Sequence, residues 1–220
     1  MGQLSSWIGI QGVAQADLFA ELGLEETGEE GDYYHVARPF SFCEMPGGWL
    51  ILHANDFDWA KSERVRELSR FGPAIGGQYD DQVTNSTALC AAKNGESLWR
   101  VVFPFNEDDR QLAVIGSPPP ELAQVIRDST RSYAEGEDEQ EIREEIGFEV
   151  PLALGETLCG FRYDDGDYLF RGLKIVPGGW AASVNVYDNA KARRSFRRKL
   201  VAAIAIVIAL LIARLVAIAG

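Results

Sequence analysis

The chain has 220 residues, with 33 acidic against 21 basic side chains and a formal net charge of −12 at neutral pH. This length holds one ordinary domain with a tail, or at most two small domains. An acidic surface is repelled by phosphate groups, so the charge argues against nucleic acid as a ligand and favours a basic protein partner.

The first seventy residues predict an alternation of strands and helices. Short apolar or alternating runs bounded by turn residues indicate strands at residues 6–10, 33–37, 40–43 and 49–53. Apolar residues at three- and four-residue spacing indicate helices at residues 13–22 and 60–71. Glycines end both helices, at Gly23 and Gly72. The acidic residues 25–32 predict a loop between the first helix and the next strand.

The following residues predict a hairpin and a third helix. Asn94-Gly95 is the strongest hairpin signal, because tight hairpin turns need a positive φ that Asn and Gly tolerate. Gly76 and Gly77 predict a β-bulge within a strand. The predicted strands are residues 74–79, 84–93, 97–103 and 111–116, and the helix is residues 121–134. This order predicts an α+β fold with a mainly antiparallel sheet and two to three helices on one face.

The predicted domain covers residues 1–162. Residues 135–145 hold seven acids and predict a solvated helix extension or loop, whereas residues 148–161 are apolar and predict a segment that packs onto the core. Residues 163–190 are rich in Gly and Asp and predict a partly ordered extension or linker.

Several short motifs in residues 5–165 occur together: Trp7, Leu22-Gly23-Leu24, Pro46–Trp49, Gly95–Trp99, Phe148–Pro151 and Gly160-Phe161. In these motifs the chain resembles a group of small, uncharacterised bacterial α+β proteins. The resemblance implies the fold alone, because the group brings no activity with it.

The end of the chain predicts a membrane anchor. Residues 191–199 contain six basic residues in nine, and residues 200–220 are apolar apart from Arg214. As a helix the apolar run reaches about 30 Å, the thickness of a bilayer's hydrocarbon core. We therefore predict a transmembrane helix at 200–220 after a basic juxtamembrane segment, with these membrane-anchoring residues: Arg193, Arg194, Arg197, Arg198, Lys199 and Arg214.

The charge distribution predicts an orientation. Residues 1–190 contain 14 basic and 33 acidic residues, a net charge of −19, whereas all seven charges after them are positive. Basic residues favour the cytoplasmic side of a span, and no secretion signal is evident at the start. We expect a single-pass, tail-anchored protein of the bacterial inner membrane with its N-terminal domain in the cytoplasm. Arg214 either reaches the far headgroups or faces inward in a bundle of tail helices, which would make the protein a homo-oligomer.

One segment has the residue types of an active site. His53 ends a predicted strand and is followed by Asp56 and Asp58, so an imidazole and two carboxylates could converge there. A plain turn is the alternative. The three cysteines are widely spaced and form no C-x-x-C motif, which predicts buried thiols and neither a metal site nor a cofactor.

The composition favours a non-enzymatic binding function. Two acidic clusters would steer a basic partner, and two tryptophans outside the confident strands are candidate contacts, with core or lid packing as their alternative. The candidate partner-binding residues are Glu25, Glu26, Glu29, Glu30, Asp32, Trp59, Glu137, Asp138, Glu139 and Trp180. We expect an immunity or regulatory factor in a bacterial conflict or defence system.

Two other classes of function stay open at this stage. In the first, the protein is a membrane-disrupting effector whose tail helices assemble around Arg214 when the cytosolic domain senses a signal. In the second, it is a membrane-recruited enzyme that uses His53 and the neighbouring acids.

Overall fold

The structure is a computed structural model, which describes residues 4–32, 39–54, 56–80, 86–104, 111–131, 139–163 and 167–183. Its strands are β1 Leu4–Gln11, β2 Leu24–Gly31, β3 Phe40–Met45, β4 Trp49–Ala54, β5 Ala74–Asp80, β6 Ser86–Lys93, β7 Glu96–Phe103, β8 Ala113–Gly116 and β9 Phe170–Ile175. Its helices are α1 Gln15–Leu22, α2 Ser62–Leu68, α3 Glu121–Arg131 and α4 Glu139–Cys159. Short 3-10 turns occupy Pro46–Gly48 and Trp180–Ser183.

The nine strands form one sheet in the order β2-β9-β3-β4-β1-β5-β6-β7-β8. Every pair of neighbouring strands is antiparallel. The predicted α+β class with a mainly antiparallel sheet is therefore confirmed. The hairpin at Asn94-Gly95 is confirmed as well, since these residues have φ of 53° and 80° and join β6 to β7.

The helices lie on both faces of the sheet, so their predicted placement on one face is wrong. One core contains Leu18 of α1 and Val65 of α2, together with strand residues such as Ile8. The other contains Leu122 of α3, Val150 of α4 and strand residues that alternate with the first set, such as Trp7. All six residues of β4 and all seven of β5 are buried, which is the pattern of strands covered on both sides.

Two segments differ from the sequence-based expectation. The acidic residues predicted as a loop form β2, because Leu24–Gly31 pairs with β9. The segment predicted as an extension after residue 162 contains β9, which lies between β2 and β3 inside the sheet. Residues 170–175 are thus part of the folded domain. The strand predicted at residues 33–37 lies outside the described residues.

β5 is a regular strand, so the β-bulge predicted at Gly76 and Gly77 is wrong. Its register with β1 and β6 advances one residue at a time through both glycines. The glycines are there because neighbours approach closely on either face. A Cβ at Gly76 would lie 2.2 Å from Val65 Cγ2, and one at Gly77 would lie 2.4 Å from Trp7 Nε1.

The described residues all belong to one compact unit, Met1–Tyr187. Among them, no helix is both long enough and apolar enough to cross a membrane. The predicted transmembrane helix and its basic flank, which hold Arg193, Arg194, Arg197, Arg198, Lys199 and Arg214, lie outside the described residues.

Candidate functional site

His53 lies inside the core between two serines. It belongs to β4, and its side chain is 1% exposed on the sheet face that α4 covers. Ser5 Oγ lies 2.6 Å from His53 Nε2, and Ser41 Oγ lies 3.4 Å from His53 Nδ1. The imidazole stacks on Tyr163 with ring centroids 5.9 Å apart. It also makes an edge contact with Phe170, with ring centroids 5.7 Å apart.

Burial keeps this imidazole neutral. It lowers the pKa of His53 from 6.5 to about 3, because a charged ring loses its hydration in the core. A neutral imidazole has one donor and one acceptor nitrogen, and hydroxyl groups can serve both. A serine next to a histidine also occurs in nucleophilic enzymes, but Ser5, like His53, is 1% exposed and closed to solvent.

The carboxylates predicted to converge on His53 serve a turn instead. Asp56 accepts a hydrogen bond at Oδ1 from the backbone N–H of Asp58, at 2.9 Å. The backbone carbonyl of Asp56 accepts from Ser6 Oγ at 2.6 Å. Among the described residues, His53 and the two carboxylates form no cluster of three metal-ligating side chains. The predicted convergence is not seen there.

The first acidic cluster lies along the outermost strand. β2 is at one end of the sheet, and its residues Glu25, Glu26, Glu29 and Glu30 are largely exposed. Glu25 pairs with Lys174 of β9 at 2.7 Å. Glu26 lies 3.6 Å from Arg171, which also contacts Glu44.

Asp32, directly after β2, is exposed as well. The second acidic cluster is only partly described. Glu137 and Asp138 lie outside the described residues, and Glu139 is the first residue of α4 but its side chain is not described.

The two candidate tryptophans pack against each other. Trp59 is 1% exposed, and its ring contacts Trp180 with centroids 5.7 Å apart. The guanidinium of Arg64 lies over both rings, and Trp180 Nε1 donates to Glu67 Oε1 at 2.8 Å. Trp59 is therefore a core residue, the alternative left open for it, and Trp180 is its lid. Trp180 itself is partly exposed.

The cysteines are buried thiols. Burial raises the pKa of Cys43 and Cys159 to about 12 and that of Cys90 to about 11, so all three stay protonated at neutral pH. Within the described ranges, no group of three or more His, Cys, Asp or Glu side chains is placed to hold a metal ion.

A groove that the sequence did not predict lies beside α2. This helix packs over β5 and β6, and β7 and β8 extend beyond it. One chamber of about 360 Å³ has a mixed polar and apolar lining that includes Lys61, Gln78 and Phe103. A second chamber of about 220 Å³ has a more apolar lining that includes Leu98 and Ile115.

Arg100 of β7 lines both chambers. It is partly buried, and its guanidinium has no hydrogen bond or ion pair with the rest of the chain that the structure describes. Leu98 is 46% exposed and Ile115 is 59% exposed, and Ile115 lies opposite Arg100 in the register of β7 and β8. The only sequence signal is an arginine on the same strand face as Leu98 and Val102.

Comparison of the chain with models of known protein families, with curated proteins and with solved structures gave no match.

Proposed function

We propose that the protein is a non-enzymatic binding module, held at a membrane by residues 191–220, that recognises a basic protein partner. The observation that carries the proposal is the acidic edge strand β2. It pairs with β9 on one side, and in the described part of the sheet no strand covers its other side. An uncovered edge offers backbone N–H and C=O groups to an added strand.

The charge of this edge favours a basic segment. Four of the eight residues of β2 are glutamates, whereas the neighbouring β9 has two basic residues, Arg171 and Lys174. Acidic residues therefore outnumber basic ones along this edge. Like charges oppose strand addition by a second copy or by an acidic protein, whereas lysine or arginine side chains of an added strand would pair with the glutamates. Long-range attraction would also speed the encounter.

The setting that we propose is a bacterial conflict or defence system, in which the domain acts as an immunity or regulatory factor. The net charge of −19 on residues 1–190 supports a basic partner. The basic flank and apolar run at residues 191–220 support a cytoplasmic domain at the inner membrane.

A designed peptide tests recognition at β2. The full chain in lipid nanodiscs is titrated with a ten-residue peptide that alternates lysine and valine, and with a second peptide that carries glutamate in place of lysine. We expect the lysine peptide to bind and to slow hydrogen exchange in β2, and we expect the glutamate peptide to do neither. Reversing two charges, Glu29→Lys with Glu30→Lys, should weaken binding by roughly tenfold, since each exposed pair contributes up to about 1 kcal/mol.

The matched control reverses two exposed acids elsewhere, Glu96 on β7 and Glu145 on α4. Both double variants have the same net charge, so the control separates local pairing from general attraction. Equal weakening in the two variants, or unchanged exchange in β2, would rule out recognition at this edge.

A further inference from the structure

We propose that the groove beside α2 is a binding site for an organic anion, a phosphate or carboxylate with an apolar body, whose charged group pairs with Arg100. This site is separate from the acidic edge, since β7 and β2 lie in opposite halves of the sheet. The ligand's charge is opposite to that of the partner proposed for β2.

The state of Arg100 is the first argument. A partly buried guanidinium has lost part of its hydration, and in folded proteins such a group is normally paired. Arg100 has no partner among the described residues, in a domain with a large excess of acids. Its five N–H donors form a planar fork that fits a carboxylate or phosphate group.

The lining of the two chambers is the second argument. Arg100 lines both, with the mixed chamber on one side and the more apolar one on the other. Ser62 also lines both chambers, and its side chain hydrogen-bonds Cys90 in the lining of the second one. An anion with an apolar body would place its charged group at Arg100 and its body against Leu98 and Ile115.

The other charges of the groove leave Arg100 dominant. Lys61 and Glu63 also line the larger chamber. Lys61 is paired with Asp58 at 2.9 Å, so its charge is already compensated. Glu63 is exposed to solvent, where water screens its charge. Among the described residues that line this groove, Arg100 is therefore the positive charge without an ion pair, and it is more buried than Lys61 or Glu63.

Calorimetric titration of the full chain with phenyl phosphate tests the site. The chain is held in nanodiscs of zwitterionic lipid, and inorganic phosphate is the comparison probe. We expect phenyl phosphate to bind more tightly than inorganic phosphate and to slow hydrogen exchange in β8. Arg100→Gln should weaken binding of phenyl phosphate by about tenfold or more, because it removes a charge-assisted pair. Arg100→Lys should retain part of the affinity.

Two further variants keep the result interpretable. Arg127→Gln removes an exposed arginine from α3, on the opposite face of the sheet, and should leave binding unchanged. Ile115→Ser should weaken phenyl phosphate binding but leave inorganic phosphate binding unchanged. Since Arg100 forms no ion pair with the described residues, its variants should unfold at the same temperature as the parent.

Repeating the measurement in nanodiscs of anionic lipid identifies the source of the anion. Protection of β8 by that lipid alone, lost in Arg100→Gln, would assign the anion to a lipid headgroup. Protection only after phenyl phosphate is added would assign it to a free ligand. The proposal is wrong if the parent binds neither probe nor anionic lipid, or if Arg100→Gln binds as the parent does. Neither outcome depends on β2.

Discussion

His53 links the stability of the domain to pH. An unfolded histidine takes up a proton below its ordinary pKa of 6.5, whereas the folded state keeps His53 neutral down to a pKa of about 3. Between these values the unfolded chain binds more protons than the folded one, so acid favours unfolding. The stabilisation from neutral His53 is complete above pH 6.5 and is lost as the pH falls towards 3.

The test is a comparison of slopes. We expect the free energy of unfolding of the parent to fall by about 1.4 kcal/mol more per pH unit between pH 6 and pH 4 than that of His53→Gln. Glutamine keeps hydrogen-bonding groups for Ser5 and Ser41 but does not titrate. Urea denaturation at several pH values, followed by tryptophan fluorescence, measures both slopes. The carboxylates contribute equally to the two proteins, so identical slopes would show that His53 titrates normally.

Sequence predicted the elements whose residues carry their own signal and missed those that depend on distant partners. The strand at Trp49–Ala54 and the turn at Asn94-Gly95 are specified by neighbouring residues. β2 is different, because after Leu24 it contains mostly acids and glycine, a composition typical of loops. It becomes a strand by pairing with β9, which follows it by more than a hundred residues and contributes Lys174 and Arg171.

α4 shows a second limit of local patterns. The helix runs from Glu139 to Cys159 with Pro151 inside it. A proline has no N–H to donate to the carbonyl four residues earlier, here that of Gly147, and its ring crowds that turn. At this turn Gly147 lets Phe103 approach the helix closely, since a Cβ would lie 2.4 Å from that ring. Tertiary packing therefore maintains one continuous helix, although the acidic and apolar halves of its sequence predicted two separate segments.

In β5, close packing against Trp7 predicts that any side chain at Gly77 destabilises the domain. A methyl group there would meet the Trp7 indole, so Gly77→Ala should destabilise the domain by about 1–3 kcal/mol. Combining it with Trp7→Leu should cost less than the sum of the two single changes, because the smaller side chain leaves room for the methyl group. Denaturation of the four proteins measures this coupling. Additive effects would show that the indole does not set the choice of glycine.

At the scale of the whole molecule, the accessibility of Arg100 and of His53 depends on which helix covers which strands. The alternation in β7 was visible in the sequence, but nothing local to Arg100 tells whether a helix covers it. α2 has seven residues and packs mainly over β5 and β6, which leaves Arg100 at the floor of a groove. For His53 the reverse holds, because Tyr163 and Phe170 pack against a residue whose sequence context suggested an accessible site.

The tail prediction is tested by removing it. We expect the full chain to sediment with membranes and to remain there after washes in high salt and in alkaline carbonate, because a spanning helix resists both. A chain that ends at residue 190 should be released, since without the basic flank its charge of −19 repels anionic lipid. Fractionation followed by immunoblotting measures both. Release of the full chain by salt alone would show that the attachment is electrostatic and that the tail does not span the membrane.

Arg214 then separates an anchor from an effector. Arg214 lies in the second half of the predicted span at 200–220, where its long side chain can reach the far headgroups at modest cost. We therefore expect overexpression of the parent and of Arg214→Leu to leave the membrane potential of the cell unchanged, as a voltage-sensitive dye would report. Depolarisation by the parent but not by Arg214→Leu would instead require tail helices that assemble around a water-filled pore through Arg214. The protein would then be a membrane-disrupting effector, and the acidic domain would control its tail.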